Sequence, residues 1–157
     1  MTLDPTARKA NVKDSLKKFF VDNLETTSNI PVLFDKGITT PDIVGDKSIT
    51  RWVSINFGRF TRDFLSEIVV RIFCCTRQDP EGFRLAQTTD ILIGYLTDET
   101  MTDSMARITL YRSYQDQDWT EIGTMVVTDI DEGEEFESDE GTKAVELLVR
   151  IKWGAKI

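Results

Sequence analysis

Eight carboxylates fall within twelve residues: Asp129, Asp131, Glu132, Glu134, Glu135, Glu137, Asp139 and Glu140. Carboxylates alone can ligate Mg or Ca, or act as acid and base on a glycosidic bond, so the run needs a direct test. Aligned to the calcium loop of an EF-hand, Asp129, Asp131 and Glu140 fall on positions 1, 3 and 12. The match fails at the turn, because the position that needs glycine is Glu134 and Gly133 comes one place early. The flanking segments are β-prone and not helical. No metal and no other cofactor is expected from this run.

The remaining chemistry is thin. The chain has no histidine, which removes the commonest acid/base at neutral pH, the commonest transition-metal ligand and every Ser-His-Asp, Cys-His or HExxH arrangement. Nor is there a GxxxxGK[ST], GxGxxG or GxSxG motif for phosphate, dinucleotide or acyl chemistry. The two cysteines, Cys74 and Cys75, are adjacent in an apolar run. On a strand they would point to opposite faces, so they are expected to be reduced and packed as small apolar groups. These residues describe a protein that binds and is not an enzyme.

What the acidic run can do is repel itself. Like charges at this density extend into water or meet cations, so Asp131 to Gly141 is expected to project as the tip of a long acidic hairpin. Three roles are open to it: a solvated tip, a contact surface for a basic partner or another copy, or a charged lining that repels nucleic acid. Arg59, Arg62, Arg71, Arg77 and Arg84 lie mid-chain as possible counterparts. The interface candidates are therefore Asp129, Asp131, Glu132, Glu134, Glu135, Phe136 and Glu137 on one side, with Arg59 and Arg62 on the other. Two unlike surfaces on one chain suit a head-to-tail contact, which closes into a ring or runs on as a filament.

The overall charge fits that division. Residues 1–90 carry 13 Lys/Arg and 12 Asp/Glu, whereas residues 91–157 carry 6 and 15. Such a balance argues against wrapping duplex DNA, whose phosphates require a basic patch. No stretch approaches the roughly 18 apolar residues that span a bilayer, and the first residues lack the apolar run of a secretory signal. The chain is expected to be cytosolic when made, with no membrane partner.

The elements that must position these groups follow from periodicity. Asp4-Pro5 has the form of a cap and first helical proline, and Val12, Leu16, Phe19, Phe20 and Leu24 then make one apolar helical stripe. Arg8, Lys9, Lys13, Lys17 and Lys18 occupy the other face, read as solvated or as a dock for an acidic partner. Val32-Leu33-Phe34 is a short strand, and Gly37 to Thr50 a long surface loop. From Arg51, Trp52, Ser54 and Asn56 alternate with Val53, Ile55 and Phe57 as a half-buried strand ending near Gly58, with Arg59 to Asp63 either continuing it or turning it. Ile68 to Cys75 is the most apolar β-prone run and belongs at the centre of the sheet. Asp79-Pro80 repeats the cap-plus-proline start for a second helix reaching Leu96, with Leu85, Thr89 and Leu92 on its buried stripe. Arg107 to Tyr114, Trp119 to Ile130 and Thr142 to Ile151 complete the strands, with a turn at Gln115 to Asp118. The expected fold is one α+β domain over 1–157, with a mixed, mostly antiparallel sheet, two main helices packed on one face and the long acidic β-hairpin.

That order resembles the tail terminator, or tail completion, proteins of long-tailed bacteriophages, the family of the phage lambda minor tail protein U. The likeness lies in the helix NVKDSLKKFFVDNL, the strands PVLFDKG and RWVSINFGRF, the unit EIVVRIFCCTRQDPEGFRLAQTTDILIGYL and the closing hairpin ending in AVELLVRIKW. The resemblance implies a virion structural protein forming a homo-oligomeric, hexameric ring at the head-proximal end of the tail. Such a ring would end tube polymerisation and offer the head-tail joining surface. Its partners would be the major tail tube protein and a neck or head-completion protein, with DNA only as passing cargo. It would reside in the virion, after assembly in the host cytoplasm. The same pattern permits a head-tail connector or tail tube subunit, and, from another class, a host-directed adaptor protein.

Overall fold

Period-two alternation in four long segments gives this chain its sheet. The computed structural model describes residues 9–35, 49–62, 65–112, 119–137 and 141–154. Along the chain these form α1 (Lys9–Phe20) with a π-helical continuation (Val21–Thr27), β1 (Val32–Phe34), β2 (Arg51–Thr61), β3 (Leu65–Thr76), α2 (Phe83–Leu96), β4 (Arg107–Tyr111), β5 (Glu121–Glu137) and β6 (Lys143–Gly154). The strands lie in the order β1-β2-β3-β6-β5-β4. β1 runs parallel to β2 and every other neighbouring pair is antiparallel. The fold is thus α+β, with a mixed six-stranded sheet and two helices.

The apolar stripe of α1 runs on into the π-helical turns that follow it. Asn23 donates its side-chain amide to Phe19 O (2.8 Å) and Thr27 its hydroxyl to Asp22 O (3.0 Å), so side chains take carbonyls that α-helical N–H groups would otherwise use. Val12, Leu16, Phe20 and Leu24 are buried in one line. Asn29, at φ 55°, ends the run in the left-handed conformation that asparagine tolerates. The Asp4-Pro5 start lies outside the described residues, as do most of the Gly37 to Thr50 loop and the Gln115 to Asp118 turn.

Both helical stripes join one core on a single face of the sheet, where Leu16, Leu85 and Leu92 meet Ile55, Val70 and Val149. Fully burying each such side chain is worth about 1.5–3 kcal/mol. β3 and β6, third and fourth in the order, pair without interruption from Leu65↔Gly154 to Thr76↔Lys143. That uninterrupted ladder makes Ile68 to Cys75 central, as its composition suggests.

β2 continues past Gly58 to Thr61, one of the two courses open to the residues after Gly58. It departs from the sequence reading in that its Trp52 face is also buried, in a second small cluster with Phe73, Cys75 and Ala144. Cys74 lies in the main core and Cys75 in that second cluster. Both thiols are free, and burial pushes each up to about 12.

The start of α2 is also different in detail. Pro80 lies in a turn, Gly82 (φ 71°) occupies the position before the helix, and the first helical residue is Phe83. Asp79 still caps, from further back: its carboxylate accepts from Leu85 N (2.9 Å), Arg84 N (3.3 Å) and the Thr76 hydroxyl (3.1 Å). A left-handed glycine lets the chain double back so that this aspartate reaches the first free N–H groups.

Candidate interaction surfaces at the sheet edges

The acidic residues from Asp129 to Glu137 do not form a loop standing clear of the domain. Asp129 to Glu137 belong to β5 and pair along β6, Asp129 opposite Arg150, Asp131 opposite Leu148, Glu132 opposite Leu147, Glu135 opposite Val145, Phe136 opposite Ala144 and Glu137 opposite Lys143. Glu134 sits in a bulge between Glu132 and Glu135. Residues 138–140 lie outside the described residues. Strand pairing tolerates this charge because β6 is a largely apolar template and two of its cations sit opposite acids: Arg150 meets Asp129 at 2.6 Å and Lys143 meets Glu137 at 4.0 Å.

Between these two anchors the carboxylates face water. Asp131, Glu132, Glu134 and Glu135 are exposed and form no ion pair among the described residues. Phe136 remains 41% exposed, and beside it Asp131, Gly133, Glu134, Glu146 and Leu148 line an open cleft of about 290 Å³. Alternation spreads the acids over both faces of the strand, so they do not converge. Among the described residues no three acidic or thiol groups are placed to hold a metal ion.

Of the five candidate arginines, three are occupied within the fold. Arg71 pairs with Glu146 at 3.0 Å, the Arg77 guanidinium donates to Ile49 O, and Arg84 donates to Arg77 O (3.0 Å) and Gln78 O (3.3 Å). Arg59 and Arg62 are exposed at the end of β2, with Arg62 over the Phe60 ring at 5.1 Å. β3 and β6 separate β2 from β5, about 14 Å of sheet at the usual strand spacing. The acidic and basic candidates of one chain are therefore held apart on opposite edges.

The lysines of α1 lie against aromatic rings. Lys9, Lys13 and Lys17 lie over Phe60, Phe57 and Phe34 at 5.7, 4.9 and 5.6 Å, and Lys18 lies over Tyr111 and Trp119 at 5.7 and 5.4 Å. A face read as solvated, or as a dock for an acidic partner, in fact sets its ammonium groups over ring faces. The i, i+4, i+8 spacing of three lysines was legible; the aromatics beneath them come from β1 and β2 and could be matched to them only in three dimensions.

No family model matches the chain, and no curated protein matches it. Among 16 matching chains of solved structures, one aligns over 96% of this chain and 97% of its own, with a TM-score of 0.62 and 11% sequence identity. At that identity the likeness speaks for the fold alone.

Proposed function

We propose that this chain is a virion structural protein that forms a ring at the head-proximal end of a phage tail tube, ends tube polymerisation and presents the head-tail joining surface. The observation that carries the reading is the placement of exposed acidic residues of β5 and exposed Arg59 and Arg62, at the end of β2, on opposite sides of the central β3–β6 pair. Charges that cannot meet within a chain are available to meet between chains, and two unlike edges give a heterologous contact that a rotation can close. The order of elements, which resembles the tail terminator family, supplies the setting, including a hexameric ring, a major tail tube protein below and a neck or head-completion protein above. The long acidic hairpin belongs to this proposal.

The test is to mix the purified chain with purified tail tubes and image them. Single rings confined to one tube end support a terminator. Repetition along the tube would make the chain a tube subunit, and a strictly monomeric chain that never caps tubes would remove the reading.

A further inference from the structure

Two short strands leave the sheet with two open edges at diagonally opposite corners. β1 covers β2 only at Val53–Ile55, and the Asp35 side chain takes Phe57 N just beyond. β4 covers β5 only from Glu121 to Val126, with Val127 N donating to Ala106 O. Among the described residues no strand pairs with the free side of β2 from Gly58 onward, or with the free side of β5 from Thr128 to Glu137. Because β2 and β5 run antiparallel through the sheet, these two C-terminal halves lie at opposite ends as well as on opposite edges.

An open edge is a template for another strand, and proteins guard it with charge and bulges. Both edges carry such guards. β2 bulges between Phe57 and Phe60, and β5 between Val127 and Asp129 and again between Glu132 and Glu135. The guarding charges, however, are opposite in sign: Arg59 and Arg62 on one edge, Asp131, Glu132, Glu134 and Glu135 on the other. Each edge repels a copy of itself and attracts the other. The β5 edge is also flanked by exposed aromatics. Phe136 stands 41% exposed on the strand, and Phe83, 68% exposed, follows Gly82, whose Cβ position lies 3.4 Å from a Glu135 carboxylate oxygen.

We infer that the acidic half of β5 in one copy docks edge to edge against the basic end of β2 in a second copy of this chain. This inference rests on the ring proposed above and states which surfaces close it. A ring keeps the strand directions of neighbouring copies alike, so β2 of one meets β5 of the next antiparallel, the arrangement in which short stretches between bulges can exchange backbone hydrogen bonds. The diagonal placement makes each copy step along the strand direction relative to its neighbour. In closed sheets such a stagger is accommodated by tilting the strands against the axis.

Charge reversal with native mass spectrometry tests this. Arg59→Glu/Arg62→Glu makes both edges acidic, and Asp131→Lys/Glu132→Lys/Glu134→Lys/Glu135→Lys makes both basic; circular dichroism verifies that each folds. The natural chain is expected to assemble, each variant alone to fall to monomer, and the equimolar mixture to regain the natural size. Assembly of either variant alone at the natural size, or failure of the mixture to regain it, overturns edge docking while leaving the ring itself standing. Variants that still assemble but no longer cap tubes would give these edges to the tube protein and overturn the inference. A natural chain that is monomeric throughout removes the ring and this contact together.

Discussion

The Arg150 guanidinium lies 2.6 Å from the Asp129 carboxylate, on the row where the acidic part of β5 begins. The same side chain reaches Glu67 at 3.9 Å, and Lys152 reaches Glu67 at 3.5 Å. This cluster neutralises the start of the acidic part of β5 within the fold, whereas Asp131, Glu132, Glu134 and Glu135 form no ion pair among the described residues. All its members are about a quarter to a half exposed, so solvent screens them. Arg150→Ala is expected to cost no more than about 1 kcal/mol. Denaturant unfolding at low and high salt reads it, and a larger loss that salt does not change would show that the stem of Arg150 matters more than its charge.

Replacing Glu134, Glu135 and Glu137 with Gln is expected to leave the folding midpoint nearly unchanged and to weaken assembly in a salt-sensitive way. Exposed like charges contribute little to the native state, while an edge contact depends on their sign. Light scattering across a salt series checks it. Unchanged assembly at low and high salt would tell against an electrostatic role for these residues.

Asp79 ties the turn after β3 to α2. Burial raises its carboxyl, but bonds from Leu85 and Arg84 backbone N–H and from the Thr76 hydroxyl, with the Arg84 charge, outweigh this and hold it below the usual carboxylate value of 3.8. A carboxyl depressed in the folded state stabilises above its unfolded value and loses that contribution as pH falls through the folded one. Asp79→Ala is therefore expected to cost about 1 kcal/mol at neutral pH. The gap between variant and natural chain should narrow as the pH drops below 3.8. Thermal melts across pH measure it, and a gap independent of pH would assign the loss to packing.

Gly58 lies where β2 bulges, and a Cβ there would sit 2.8 Å from Val69 O. Gly58→Ala must push backbone from backbone, and is expected to cost about 1–3 kcal/mol. An unfolding curve within error of the natural chain would mean that the bulge relaxes freely.

The two thiols offer a check on the sheet itself. With both buried and pushed up to about 12, neither Cys74 nor Cys75 is expected to react with a thiol reagent at pH 8 until the chain is unfolded, and the two should then react together. Rapid labelling of the native chain at one cysteine would place that residue at the surface.

Periodicity exposed most of the fold because in this chain the core-facing positions alternate cleanly. Ile68, Val70, Ile72 and Cys74 read as a strand in sequence and pack as one in space. It was less informative where both strand faces are buried, as at Trp52, since polar Ser54 and Asn56 on that face suggested solvent. The cap at Asp79 was legible as a type of residue and not as a geometry, because the intervening turn depends on the left-handed Gly82. At the edges, charge density alone pointed to a loop. The apolar register of β6 was the competing signal, and it draws Asp129 to Glu137 into the sheet. That Arg59 and Arg62, out of five arginines, are the exposed ones on the opposite edge follows from strand order, which no local pattern encodes.

The central claim is a ring of identical chains seated on a tail tube. Electron microscopy of the chain incubated with tail tubes tests it most directly. One ring at one end of each tube is the result expected, and tubes that keep growing beside a monomeric chain would contradict it.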